Sequence, residues 1–155
     1  MTIVDKLDSE LIFISEQSTE RENLFIRVNR VLSSKGVVSD GYLDALIARE
    51  NDHPTAMLLE TMGVAIPHVT PELVLKERLA IVTSNDGFIF KSAEDDSIEI
   101  KVNVIFFLLL NDRDQHLRFL MQLFGLFSQT KKMEELLFAK SSQEVITLLS
   151  AAFKV

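Results

Sequence analysis

The sequence predicts an α/β domain, a three-layer α/β/α sandwich with a mixed central sheet. Three observations carry this. Apolar residues at helical spacing lie before, between and after short strand-like runs, the pattern of a layered α/β fold. Residues 104–110, Val-Ile-Phe-Phe-Leu-Leu-Leu, are apolar throughout, so that strand is central and needs helices over both faces. Several strand-like runs also follow one another with no helix between them, which makes an all-parallel sheet impossible.

The elements follow in chain order. Leu11-Ile12-Phe13-Ile14 is a first strand bounded by polar residues. Thr19 and Glu22 have capping-box spacing, and Leu24, Phe25, Val28, Val31 and Leu32 recur at helical period. Gly36 supplies a stop for that helix. Asp40 is the expected cap of a second helix with a stripe of Tyr42, Leu43, Leu46 and Ile47, and Arg49 falls at its end. Pro54 breaks the pattern, and residues 55–62 are expected as a short helix leading to Gly63. Val64-Ala65-Ile66 is a short strand that Pro67 ends by removing a ladder donor.

Residues 79–83 predict a further strand. Asn85-Asp86-Gly87 is expected as a turn before the strand Phe88-Ile89-Phe90. Ile98 and Ile100 alternate with polar residues and precede the central strand. Asp112 or Asp114 starts a helix whose Leu117, Leu120, Leu123, Phe124 and Phe127 are expected in the core. Two more helices are predicted at 131–138 and 142–153, the last capped by Ser141 with Glu144 at box spacing. Met57, Phe119 and Met121 fall off these stripes and would form an apolar docking rim.

At 155 residues with 47% apolar content, the chain can bury a real core, and residues 1–155 are expected to form a single domain. Eleven Phe and no Trp place aromatic mass in packing. The absence of Cys excludes disulfides and thiolate chemistry. A net charge of −7 disfavours nucleic acid, where Lys and Arg must neutralise phosphates. The 104–110 run is far too short for membrane insertion, and no basic-then-apolar leader opens the sequence, so a cytoplasmic location is expected. Met1 and the lack of a linker fit a free subunit.

The chemistry concentrates in one spaced string: Ala48-Arg49-Glu50, then Pro54-Thr55, then Gly63-Val64-Ala65-Ile66-Pro67-His68. It sets His68 just past a short strand. An imidazole is largely neutral near pH 7, can attack phosphorus, and forms a phosphoramidate reactive enough to transfer again. Arg49 offers a planar cationic fork for phosphate oxygens, although an arginine at a helix end can equally satisfy terminal carbonyls. Thr55 can cap the following segment, orient the His68 ring or touch phosphate. His116, in the first turn of the helix after the central strand, is placed to stay neutral beside an anion. His53, between Asp52 and Pro54, is expected as a solvated loop residue. The three histidines show no i, i+4 pairing, so no metal is expected; no Gly-rich nucleotide loop is present, and no cofactor is expected.

This string resembles the active-site region of IIA components of the bacterial sugar phosphotransferase system, in the fructose/mannitol (type 2) family. The run from Lys35-Gly36-Val37-Val38 through Ala45-Leu46-Ile47-Ala48-Arg49-Glu50 to Leu58-Leu59-Glu60 is most similar to the galactitol-type branch. The resemblance implies a phosphotransferase in which His68 takes a phosphoryl group from the phosphocarrier HPr. His68 then passes it to a cysteine of a cognate IIB component, which feeds a membrane IIC permease for galactitol or a related polyol. Arg49, Thr55 and His116 would stabilise the transferring group. The alternative is a regulatory IIA-like domain whose phosphorylation state controls partner binding without feeding a transporter.

Overall fold

A computed structural model describes residues 3–153; Met1, the expected natural start, lies outside the described residues. A 3-10 turn at Ile3–Lys6 leads into β1 (Leu7–Phe13), followed by α1 (Arg21–Ser34) and α2 (Tyr42–Asp52). Then come β2 (Met57–Leu58), β3 (Gly63–Ala65), a 3-10 turn at Pro71–Leu73, β4 (Arg78–Lys91) and β5 (Glu99–Leu109). Three helices close the chain: α3 (Arg113–Phe127), α4 (Thr130–Leu137) and α5 (Ser142–Ala152). The sheet order is β1-β4-β5-β3-β2. β1 is parallel to β4 and β3 parallel to β5, while β4/β5 and β2/β3 are antiparallel. The sheet is therefore mixed, with the all-apolar strand in the middle.

Alternation along β5 explains the three layers. Ile105, Phe107 and Leu109 face a core built with Leu24, Phe25, Val28 and Leu32 of α1 and Tyr42 and Leu46 of α2. Val104, Phe106 and Leu108 face the other way, against Phe119, Leu123 and Leu126 of α3, Met133 of α4 and Val145 of α5. Phe25 meets Phe107 edge-on, with ring centroids 5.6 Å apart. Burying each such side chain contributes roughly 1.5–3 kcal/mol, so this two-sided strand is the mechanical centre of the fold. Among the described residues, no helix is long and apolar enough to cross a membrane.

Several local expectations hold for the stated reasons. Gly36, with φ of +68°, ends α1 in a Schellman arrangement: its N–H donates to Ser33 and that of Val37 to Leu32. Asp112 caps α3 by accepting from the N–H groups of Asp114 and Gln115. Ser141 caps α5 by accepting from Glu144 N–H, and the Glu144 carboxylate reaches back to the Lys140 N–H.

Others are corrected. Residues 55–62 form no helix; Met57 and Leu58 pair antiparallel with Val64 and Gly63, because the edge of β3 offers backbone groups that a neighbouring strand satisfies. Thr19 and Asp40 do not cap: the caps are Glu20 and Gly41, without side-chain bonds, and the Thr19 hydroxyl donates to the Glu20 carbonyl. Residues 79–83 and 88–90 belong to one strand, and the expected turn is a bulge within it. Thr83 pairs with Val104 and Phe88 with Val102, so residues 84–87 swell outward, their carbonyls at Ser84 and Asn85 accepting from the Asn103 amide.

On α3 the buried stripe is Phe119, Leu123, Leu126 and Phe127. Leu117 and Phe124, expected in the core, are exposed, and Phe119, expected on an outer rim, is buried. The helix carries apolar residues nearly all round, so spacing alone fits two rotations; the sheet's apolar face selects one.

Candidate active site

Two parallel strands, β3 and β5, end side by side, and the site lies beyond their C-terminal ends. The β3 path is tight at its start. A Cβ on Gly63 would stand 2.2 Å from the Lys101 carbonyl oxygen, so only glycine lets β3 lie against β5 there. After Ala65 the chain leaves the ladder. Pro67 donates nothing, yet its carbonyl accepts from Leu108 N–H at 3.1 Å, and His68 still bridges to Leu108. The imidazole is thus delivered half-buried at the mouth of the sheet.

Its ring is oriented by its own backbone. His68 Nδ1 lies 2.8 Å from the Ile66 carbonyl oxygen. A carbonyl can only accept, so Nδ1 carries the proton and Nε2 keeps a free lone pair. Burial pulls the His68 pKa below the ordinary histidine value; the Arg49 guanidinium acts in the same sense, and the Ile66 bond opposes both.

β5 runs on into α3, which brings the second imidazole. Asn111 N–H donates to Glu77 Oε2 at 3.1 Å, and Glu77 Oε1 meets Lys6 Nζ at 3.0 Å, pinning the turn before the helix. The His116 N–H then bonds the Asp112 carbonyl in the first turn of α3. The rings of His68 and His116 stand 4.9 Å apart between centroids, tilted by 61°. Burial lowers the His116 pKa, and the neighbouring His68 and Arg49 lower it further. Burial and the Arg49 guanidinium thus disfavour the charged form of both rings.

Arg49 from α2, His68, His116 and Leu120 line one open cleft of about 270 Å³, together with Val69, Thr70, Pro71, Arg113 and Leu117. Three of the four expected site residues therefore converge: Arg49, His68 and His116. The fourth, Thr55, is behind the site. Its hydroxyl donates to Glu50 Oε1 at 2.9 Å and accepts from Ile66 N–H at 3.2 Å, and its N–H donates to Glu50 Oε2 at 2.8 Å. Its hydroxyl is thereby committed away from the ring nitrogens and from the cleft. His53 is exposed after the end of α2, as expected.

Two residues emerge that the sequence reading passed over. Arg113 is the first residue of α3 and lines the cleft three positions before His116, on the same helix face. Glu50 is 1% exposed. The spacing of Tyr42, Leu46 and Glu50 places its carboxylate on the core-facing stripe of α2, which was the available signal. Burial raises the Glu50 pKa, while the Thr55 bonds and Arg21 act to lower it.

The family described as "Phosphoenolpyruvate-dependent sugar phosphotransferase system, EIIA 2" matches residues 5–152. Among characterised relatives, the galactitol-specific EIIA component of Escherichia coli K12 is 29% identical over 124 residues, covering 80% of this chain and 82% of that protein. The complex of enzyme IIAMtl and phosphorylated enzyme IIBMtl from E. coli contains a chain that superposes with a TM-score of 0.76 at 25% identity. That match covers 94% of this chain and 98% of that one. Nitrogen regulatory protein IIA-Ntr from Neisseria meningitidis superposes with a TM-score of 0.74 at 26% identity, covering 95% and 98%. With the family matched over nearly its whole length, this chain belongs to the EIIA type 2 family of the sugar phosphotransferase system.

Proposed function

We propose that the protein is a phosphoryl relay in which His68 accepts a phosphoryl group from phosphorylated HPr and donates it to a cysteine of a IIB component. The observation that carries this reading is the His68 ring, with its Nδ1 proton on a carbonyl and its Nε2 free, at a cleft lined by Arg49, Arg113 and His116. In the accepting step the Nε2 lone pair forms the new N–P bond as the P–N bond to the donor ring breaks, its electron pair returning to that ring. The accepting ring becomes cationic, and the Ile66 carbonyl steadies it through Nδ1–H. In the donating step a thiolate forms an S–P bond and the pair returns to Nε2.

Arg49 and Arg113 supply fixed positive charge for the equatorial oxygens of the transferring group, where positioning and electrostatics do most of the catalysis. His116, held neutral, is a hydrogen-bonding partner for one of those oxygens. Galactitol or a related polyol is the transported substrate on this reading, through IIB and IIC partners; the galactitol-specific relative supports it.

Incubation with phosphorylated HPr should add one phosphoryl mass to the chain, and a galactitol-type IIB should then remove it. His68→Ala should abolish the gain, while His53→Ala should not. A wild-type chain that gains no mass sinks the relay. The likeness to a nitrogen regulatory IIA favours a second reading, a phosphorylation-dependent regulator. Uptake onto His68 without passage to any IIB protein would select it.

A further inference from the structure

Glu50 touches nothing in the cleft, yet its two carboxylate oxygens are both committed to one residue that does bear on the site. Glu50 Oε2 takes the Thr55 N–H at 2.8 Å and Glu50 Oε1 takes the Thr55 hydroxyl proton at 2.9 Å. That leaves a lone pair of Oγ1 for the Ile66 N–H at 3.2 Å. Ile66 has just left the β3 ladder, and its N–H would otherwise be buried without an acceptor. The same residue's carbonyl takes the Nδ1 proton of His68 at 2.8 Å. Pro67 stiffens the link between them, and its carbonyl is anchored by Leu108 N–H.

We propose that Glu50 is a positioning residue for the transfer: through Thr55 and the Ile66 backbone it holds the His68 ring in the Nδ1–H tautomer and leaves Nε2 for phosphorus. The competing role is purely structural, a carboxylate that closes the loop between α2 and β2. The second bond of Thr55, to Ile66, is what separates the two. The consequence for rate rests on the relay reading; the consequence for the tautomer does not.

The test is the ring ¹⁵N chemical shifts of His68 in the unphosphorylated full chain, at a pH where the ring is neutral, beside the rate of phosphoryl uptake from phosphorylated HPr. Glu50→Gln sets an amide NH₂ against one of the two Thr55 donors, and Thr55→Val removes the hydroxyl relay. Each should raise the Nε2–H tautomer and slow uptake roughly 10- to 100-fold, the usual cost of loosening a group that orients a reactive one. Thr55→Ser should recover the tautomer that Thr55→Val loses.

A folded Glu50→Gln or Thr55→Val chain with the wild-type tautomer overturns the proposal, even if uptake is slower. If Glu50→Gln does not fold, Thr55→Val decides by the same signals. A wild-type ring found as Nε2–H overturns it outright. A wild-type chain that shows Nδ1–H but never gains phosphate sinks the relay instead.

Discussion

His68 and His116 approach to 4.9 Å, yet the regions that carry them are built differently. The His68 region, from α2 to the end of β3, is a continuous hydrogen-bond chain: Glu50, Thr55, Ile66 and the imidazole each hold the next. The His116 region is the open first turn of α3, capped by Asp112 and tethered by Glu77, with Arg113 and Leu117 exposed beside it. One region fixes a single atom in one orientation. The other presents adaptable groups to whatever fills the cleft. On the proposed relay reading two different partners must be met, and that reading has use for both a rigid imidazole and a compliant rim.

Breaking this comparison starts with Arg49, the cation that α2 adds to both imidazoles. Arg49→Ala should slow phosphoryl uptake by about 100- to 1000-fold in a rapid-quench assay, as loss of one well-placed transition-state donor does. A change under tenfold would return Arg49 to a helix-end role. Next is the track on which the rigid side runs. Gly63→Ala must push β3 off the Lys101 carbonyl, and should cost about 1–3 kcal/mol in a denaturant melt.

His116→Asn tests the compliant side. Uptake should fall about tenfold, less than for any change at His68, since general hydrogen-bonding assistance is being trimmed and not the nucleophile. The pH behaviour should change with it. Both histidines have folded-state pKa values below the ordinary value near 6.5, so on acidification the unfolded chain takes up protons first. Stability is thus fully present above about pH 6.5, falls as pH drops below it, and levels once the folded rings also protonate. His116→Asn should flatten that slope in thermal melts run from pH 7 downward. An unchanged slope would mean that the paired rings are not its source. The smallest effect belongs to Arg113→Ala, whose exposed guanidinium should contribute only a few-fold in uptake, and less at high salt.

Legibility follows the same division. The strand stop at Ile66-Pro67 is a local feature and could be read directly. His68 and Arg49 stood out as site candidates only through the resemblance of their string to the IIA family, since a helix-end arginine can equally satisfy terminal carbonyls. The Schellman stop at Gly36 and the caps at Asp112 and Ser141 were local too. The segment at 55–62 misled because its apolar residues fit a helical turn, while the β3 edge that claims Met57 and Leu58 lies beyond the local pattern. Thr55 was expected to touch the ring or phosphate, and its actual bonds were not legible, since its partners Glu50 and Ile66 meet only after the loop closes. Arg113 was hidden by its company: in a charged run, Asp112-Arg113-Asp114, nothing marks the side chain that lines the cleft beside His68 and His116.

By itself the sequence determined the layer class and the central strand, because hydrophobic period, proline and glycine act within a few residues of themselves, while its resemblance to the IIA string singled out His68 and Arg49 as site candidates. The tertiary structure alone decided which stripe of α3 is buried, that residues 84–87 bulge instead of turning, and that two histidines far apart in the chain face one cleft. Those outcomes depend on strand register and on which surfaces remain to be covered, and both are set only when the whole sheet has formed.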